Sequence, residues 1–375
     1  MNKNRLITLL NNYANKFEFL IDPNGNDESY KWRAIQYFQD NFDIDAENFA
    51  DMFAKATSKT FNLINDSTQP LTGIIEYAKH DNEKVRAMFK ELYLDDGGDL
   101  TNRQNRISNF ISESEELKEK YFPGSWRFTQ TPRSVMAYLT LYKPDENFFY
   151  KATEAKEFAD CVEFYEDWGS GNNFKVAVYH KMCNQMIDVI KENPEFLKLN
   201  NSRFEKDTRK MYADKNLHTL AFDIIYSSMA YDLYSGISYE HPDSKDKKIY
   251  LQNVEKAKEI KSKVDKVQND IDELNQVLEY SLPKIAIGET VTHKMAGSGK
   301  IIDFDNRYVT VQLDSNGSTK KYDILLSIAS GLIHINDLEL ENYLKQHINV
   351  IKNRDGLARK LENLSKELNS YSAYL

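Results

Sequence analysis

Between residues 287 and 322 the apolar residues follow a period of two, and this switch constrains how the rest of the chain can be organised. Ile287-Gly-Glu-Thr-Val-Thr-His293, Ala296-Gly-Ser-Gly-Lys-Ile-Ile302 and Tyr308-Val-Thr-Val-Gln-Leu313 carry short alternating runs. Gly297-Ser-Gly299, Asp305-Asn306 and Ser315-Asn-Gly317 separate them, so the segment reads as strands joined by hairpins. Asn316-Gly317 supplies the positive φ that a tight turn needs, and Lys320-Lys-Tyr322 resumes the next strand. About four strands this short cannot make a sandwich, so a small barrel is expected.

The flanks are helical. Ile260, Val264, Val267, Ile271, Leu274 and Leu278 recur in steps of three and four before the strands, and Ile348, Ile351, Leu357, Leu361, Leu364 and Leu368 follow them. Such spacing marks a coiled-coil seam. Helices of about thirty residues span about 45 Å, and an antiparallel stalk with the barrel at its tip accounts for both. The competing arrangement pairs each helix with its copy in a second molecule. The charged run Asp243-Ser-Lys-Asp-Lys-Lys248 with Lys256, Lys258, Lys261, Lys263 and Lys266 forms either a rail for a phosphate backbone or a solvated face laced by Glu255, Glu259 and Asp265.

Gly288, Val291, His293, Gly297, Gly299 and Ile301, followed by an apolar strand, resemble the Tudor-like tails of UvrD/PcrA-type helicases and, more loosely, CarD-type domains. The resemblance implies a non-catalytic module that binds polymerase, another protein or nucleic acid. The candidate contact residues are His293, Lys294, Lys300, Phe304, Arg307, Tyr308, Lys320, Lys321 and Tyr322. Acidic and basic residues are balanced across 284–337, which favours a protein partner for this module over a purely electrostatic grip on DNA. For His293 a hydrogen bond fixing the strand end is favoured over ligand contact.

The first half reads as a densely aromatic helical body. Leu6, Leu9, Leu10, Tyr13 and Phe17 make one amphipathic stripe, and Tyr30, Ile35, Phe38 and Phe42 a second. Phe49, Met52, Phe53, Ala56 and Phe61 make a third, and Val85, Met88, Phe89, Leu92 and Tyr93 a fourth. Ser134–Tyr142 and Phe148–Lys151, around Pro144-Asp145, read as a β-hairpin. Helices then return over Ala155–Trp168, Phe174–Lys191 and Leu217–Tyr234. The fold class expected is mainly α. Residues 1–125 form a helical region, and 126–245 an α+β continuation with the hairpin at 134–151. An antiparallel coiled-coil stalk over 250–282 and 338–372 carries a Tudor-like β-barrel over 284–337.

Scattered motifs across residues 26–175 support a second resemblance. Tyr30-Lys-Trp32, Phe38-Gln39, Asp43-Ile-Asp45, Phe49-Ala-Asp-Met52, Asn62-Leu63, Arg106-Ile107, Phe110, Ala137-Tyr-Leu139, Pro144-Asp145 and Phe149-Tyr-Lys151 are similar to the region preceding the motor domain in McrB-type restriction AAA+ proteins. That resemblance implies a target-sensing part that borrows its activity from a separate motor or nuclease subunit.

The expected chemistry is recognition, not catalysis. Gly297-Ser-Gly-Lys300 fails as a phosphate loop, because Lys294 stands where the first Gly belongs and Ile301 where Ser or Thr belongs. The seven histidines are dispersed without metal-ligand spacing. Glu113, Glu115, Glu116 and Lys118 lack the apolar strand of a nuclease motif, and Arg209 and His218 are too far apart for an RNase pair. Asp95, Asp96 and Asp99 lack the terminal Glu of a calcium loop. Cys161 and Cys183 read as buried apolar residues of a reducing cytoplasm. The net charge of −9 argues against indiscriminate DNA binding. No cofactor, metal or membrane is expected. The expected partner is nucleic acid or a nucleic-acid-processing complex, in prokaryotic or phage defence or counter-defence. The alternatives are an adaptor or inhibitor docking on polymerase or another enzyme, and an unrecognised nuclease.

Overall fold

Short polar side chains start most helices of this chain by satisfying amides that have no partner within the helix. Asn2 accepts from Arg5 N at 3.2 Å to open α1 (Lys3–Asn15), which the short α2 (Phe17–Leu20) and then α3 (Tyr30–Asn41) follow. Asn48 caps α4 (Phe49–Ala56), and α5 (Pro70–His80) begins on a proline. Asp81 caps α6 (Asn82–Leu92), and Asp99 caps α7 (Leu100–Tyr121). Next come α8 (Pro132–Tyr142), α9 (Ala152–Cys161) and α10 (Val176–Lys191). Asn193 caps α11 (Pro194–Lys206), and α12 (His218–Ala230) completes the series.

The computed structural model describes residues 1–280, 285–305 and 307–375, in two units, Met1–Lys248 and Ile249–Leu375. In the first, one apolar cluster runs from Leu6 to Leu233. Its centre is aromatic: Phe89 lies 4.9 Å from Phe53 and 5.0 Å from Phe110, and Tyr93 stacks on Tyr142 at 3.9 Å. Cys161 and Cys183 are both buried.

The hairpin expected at 134–151 is replaced by α8 and an extended segment. Thr131 and Ser134 form a capping box with Pro132 in the first turn, a strong helix start. Every side chain from Ser134 to Leu141 is buried, so this run carries no alternation by which a strand is told from a buried helix. Pro144 then marks the helix stop rather than a hairpin turn. Phe148–Lys151 forms no strand; Tyr179 Oη donates to Phe149 O at 2.8 Å, and a ring nitrogen of His218 lies 3.0 Å from Asn147 O. Among the described residues the first unit is therefore all helix and loop, without the β part expected for 126–245.

In the second unit a five-stranded antiparallel sheet has the order β4-β3-β2-β1-β5. Its strands are β1 (Thr290–His293), β2 (Gly297–Asp305), β3 (Tyr308–Leu313), β4 (Thr319–Asp323) and β5 (Ile333–Ile335). The two ends of this order are edges, so the sheet is a half-barrel and not the closed barrel expected from four strands. The added strand β5 pairs with β1, and β4 reaches it through a helix, α14 (Ile324–Ala329). Val291, Ile301, Val309, Val311, Ile333 and Ile335 bury one face together with Ile324 and Ile328 of α14. The register slips at Ile302, between Ile301↔Val311 and Asp303↔Thr310, and such a bulge bends the long strand β2. At Gly299 a Cβ would stand 2.7 Å from Gln312 O, so only glycine lets β3 approach this closely. Gly317 adopts the positive φ its turn demands, 69°.

Two long helices flank this sheet in sequence: α13 (Ser244–Tyr280), which begins within the first unit, and α15 (Leu338–Asn369). Ala257, Ile260, Val267 and Ile271 are buried along α13, while Leu344 and Ile348 of α15 join the half-barrel core. Lys258 pairs with Glu255 at 2.9 Å and Lys263 with Glu259 at 2.7 Å, so these lysines lace a solvated face. Residues 281–284, Asn306 of the expected turn and the side chain of Leu278 in the expected seam lie outside the described residues. No helix among the described residues is long and apolar enough to cross a membrane.

Candidate functional site

The half-barrel divides seven of the nine contact residues expected there between its two faces and leaves Lys294 and Arg307 in turns. His293, Phe304 and Tyr322 share the face of the buried core: Phe304 pairs with Val309, Val309 with Tyr322, and His293 with Ile333. His293 Nδ1 accepts from Met295 N at 3.2 Å and Ala296 N at 3.1 Å, tying down the turn into β2. Lys320 occupies a register position on this same face, opposite Val311, yet its side chain is exposed. Lys300, Tyr308 and Lys321 lie on the outer face, where Lys321 Nζ stands 5.3 Å from the Tyr308 ring and 3.5 Å from Asp305. Lys294 is exposed in the β1–β2 turn, and Arg307 pairs with Asp323. The outer face is thus a charge-balanced surface with one exposed ring.

A different concave site lies in the first unit and encloses about 430 Å³. Tyr30, Arg33, Gln36, Tyr37 and Asp40 recur on α3 at steps of three and four, which brings them onto one face. Lys31, Trp32, Ala34, Ile35 and Phe38 fill the opposite, buried face. Lys59 and Phe61 come from the loop after α4, and Arg209 and Lys210 from the segment after α11. The Phe61 ring packs edge-on to Tyr30 at 5.5 Å and is 64% exposed. Its φ of 40° lies in the left-handed region, a conformation that costs a bulky residue about 1–3 kcal/mol and persists only where the surroundings impose it. Those surroundings are visible: Thr60 Oγ1 donates to Thr57 O at 2.8 Å, and Arg133 donates to Asn62 O and Asn65 O, both at 3.0 Å.

Carboxylates orient three of the four cations in this cleft. Arg33 donates to Asp207 at 2.6 Å and to Asp27 at 2.5 Å. Arg209 donates twice to Asp207 at 2.8 Å, and Lys210 reaches both oxygens of Asp40 at 2.7 Å. Burial pushes Asp207 up, but hydrogen bonds from the Arg209 guanidinium and backbone N–H, with the charge of Arg33, more than reverse this, leaving it below the usual carboxylate range. Asp40 is also held low, by its bond from Lys210. Lys59 has no carboxylate partner among the described residues, and its ammonium stands 6.0 Å from the Tyr37 ring centroid. The cleft therefore offers an exposed ring, an uncommitted ammonium and pre-oriented donors, with no nucleophile and base in contact.

Other charged clusters satisfy themselves. Asp95, Asp96 and Glu146 approach one another, but Arg103 and Arg106 hold Asp96 and lower it to about 2, so guanidinium groups stand where a cation would. Asp99 is spent on capping α7. Lys84 pairs with Glu113 at 2.8 Å at the surface, while the buried Lys118 is held by Glu115 at 2.7 Å and Thr129 Oγ1 at 3.0 Å. His218 stacks on Phe148 at 4.0 Å, and Arg209 is engaged separately in the cleft. Sequence reading missed the cleft because its parts come from three distant segments. The available signal was Tyr30, Arg33 and Tyr37 at helical spacing on the polar face of α3. No family model, curated protein or solved structure matches the chain.

Proposed function

We propose that this chain is a non-catalytic recognition protein whose body binds nucleic acid through the cleft formed by α3, residues 59–61 and residues 209–210. The observation that carries this reading is Phe61, an exposed ring on left-handed backbone beside four cations, in a chain whose net charge is −9. An aromatic face takes a base of any identity, and lysine and arginine take the phosphates, the combination by which proteins hold nucleic acid without chemistry.

The second unit supplies a protein contact in this account. Its outer sheet face is balanced in charge, with Lys321 paired to Asp305 and Arg307 to Asp323, which suits a protein surface better than a phosphate backbone. We read α13 and α15 as an antiparallel stalk bearing the half-barrel. The ring contact of Tyr250 with Tyr374 at 5.4 Å and the position of Lys256 over Tyr371 at 5.1 Å support this, since they join the start of one helix to the end of the other. The resemblances to helicase tails and to McrB-type restriction proteins favour a separate motor or nuclease as partner, in defence or counter-defence.

The test is fluorescence anisotropy of a labelled mixed-sequence single strand against the intact protein over increasing KCl. One phosphate neutralised in the cleft predicts a shallow slope of about −0.7 in log affinity against log salt. Exchanging Lys59 and Lys210 for Ala together is expected to remove most of that slope and weaken binding at low salt. Absence of binding at low salt, or binding indifferent to salt, contradicts the proposal.

A further inference from the structure

We infer that the cleft takes one unpaired nucleotide: a single base stacked on Phe61 with a single phosphate against Lys59, Arg209 and Lys210. This rests on the reading of the cleft as the nucleic-acid site and specifies its ligand.

Size gives the first limit. About 430 Å³ lies toward the small end of the range of about 300–1,000 Å³ for small-ligand sites, room for one nucleotide unit and too little for a duplex. Charge gives the second. Arg33, Lys59, Arg209 and Lys210 stand against Asp27 and Asp40 of the lining and against Asp207, which Arg33 and Arg209 share, and the net of +1 matches the single charge of one phosphodiester. A triphosphate would force further negative charge onto Asp40 and Asp27, both already fixed in position by their cations. Geometry gives the third. Phe61 meets Tyr30 edge-on at an interplanar angle of 84° and is mostly exposed, so a ring face is free to stack. Only a base outside a duplex can present its own face to it.

The same chemistry arises from two sources, a free nucleotide and an unpaired position in a strand, and titration calorimetry with the full chain separates them. The probes are adenosine 5′-monophosphate, a ten-nucleotide single strand and a DNA hairpin whose stem has the same sequence and whose strands are joined by a non-nucleotide linker. The variants are Phe61→Ala and Lys59→Ala, with Lys59→Arg as the conservative rescue; thermal melting checks that each is folded. The expected result is that the strand binds more tightly than the hairpin, Phe61→Ala weakens the strand about tenfold, and Lys59→Arg restores what Lys59→Ala loses. If the monophosphate binds with the same dependence on Phe61 while neither DNA binds, the ligand assignment stands and the nucleic-acid reading falls. Equal binding of strand and hairpin, unaffected by Phe61→Ala, overturns the single-nucleotide assignment and leaves nucleic-acid binding intact. If none of the three probes binds, both are overturned.

Discussion

The guanidinium carbon of Arg203 lies 4.0 Å from the centroid of the Trp32 ring, and both side chains are fully buried. Arg203 also donates to Ser29 Oγ at 3.1 Å, Tyr13 Oη at 2.5 Å and Asp223 at 3.3 Å. Lys31 pairs with Asp223 and, at 2.6 Å, with Glu28. Two cations are thus balanced by two carboxylates inside the helical core, joining α1, α3, α11 and α12 behind the face of α3 that lines the cleft. Pulling these groups apart would strand a charge away from water, so the network resists separation of the four helices.

Removing its shared carboxylate is therefore expected to be severe. Asp223→Ala leaves Lys31 and Arg203 without their common partner and should cost about 3–5 kcal/mol in urea unfolding. Lys210→Ala, at an exposed pair with Asp40, should leave stability nearly unchanged by comparison. Equal effects of the two changes would contradict the role given to the network.

Acid should destabilise the body through His180. Burial, with the nearby Arg103 and His218, depresses this imidazole to about 3, and it sits edge-on to Phe148 at 4.9 Å. A free histidine titrates near 6.5, so between about pH 3 and about pH 6.5 the unfolded chain binds more protons than the folded one. Stability is then fully present above about pH 6.5 and falls on acidification, by about 2 kcal/mol from this group at about pH 5. Asp214, raised by burial to about 6, has the opposite sign over about pH 4–6, since its folded form holds the proton more tightly. Comparing His180→Phe with the parent chain isolates the histidine: the slope of stability against pH below 6.5 should flatten, and an unchanged slope argues against it.

Two glycines should respond in opposite directions. At Gly73 a Cβ would stand 2.6 Å from Phe128 Cβ and 2.9 Å from Phe128 O, where Tyr77 also donates to that oxygen at 3.0 Å. Gly73→Ala should cost about 1–3 kcal/mol by forcing the 122–130 loop off α5. Gly356 lies exposed within α15 with nothing near its missing Cβ, so Gly356→Ala should stabilise by up to about 1 kcal/mol. Thermal melting of both variants checks the pair.

His293→Ala addresses the half-barrel. It removes the acceptor of two turn amides and should destabilise the second unit by about 1–3 kcal/mol. Hydrogen exchange at Met295 and Ala296 should rise. If exchange there is unchanged, the imidazole is not what holds the turn.

Much of this fold was legible because a stripe needs only one partner surface. Leu6, Leu9, Leu10 and Tyr13 announced α1, and alternation around Val309 and Val311 announced β3, since each buries one face. Ser134–Leu141 was misread because burial on every side erases the period. Strand β5, with Ile333 and Ile335 about one exposed histidine, was too short to stand out from its surroundings. The open edge of the half-barrel depends on α14 intervening between β4 and β5, which strand alternation does not report. The cleft was illegible for another reason. Arg33 and Arg209 meet through Asp27 and Asp207, residues separated in sequence by most of the body, and local periodicity carries no trace of such a meeting.

The most direct test of the account is photo-crosslinking of the intact chain to a single strand carrying 5-iodouridine, followed by mass spectrometry of the adducts. The account predicts adducts at Phe61, Tyr30 or Tyr37, competed away by unlabelled strand. Adducts confined to Tyr308 or Tyr322 of the half-barrel, or none above background, would contradict it.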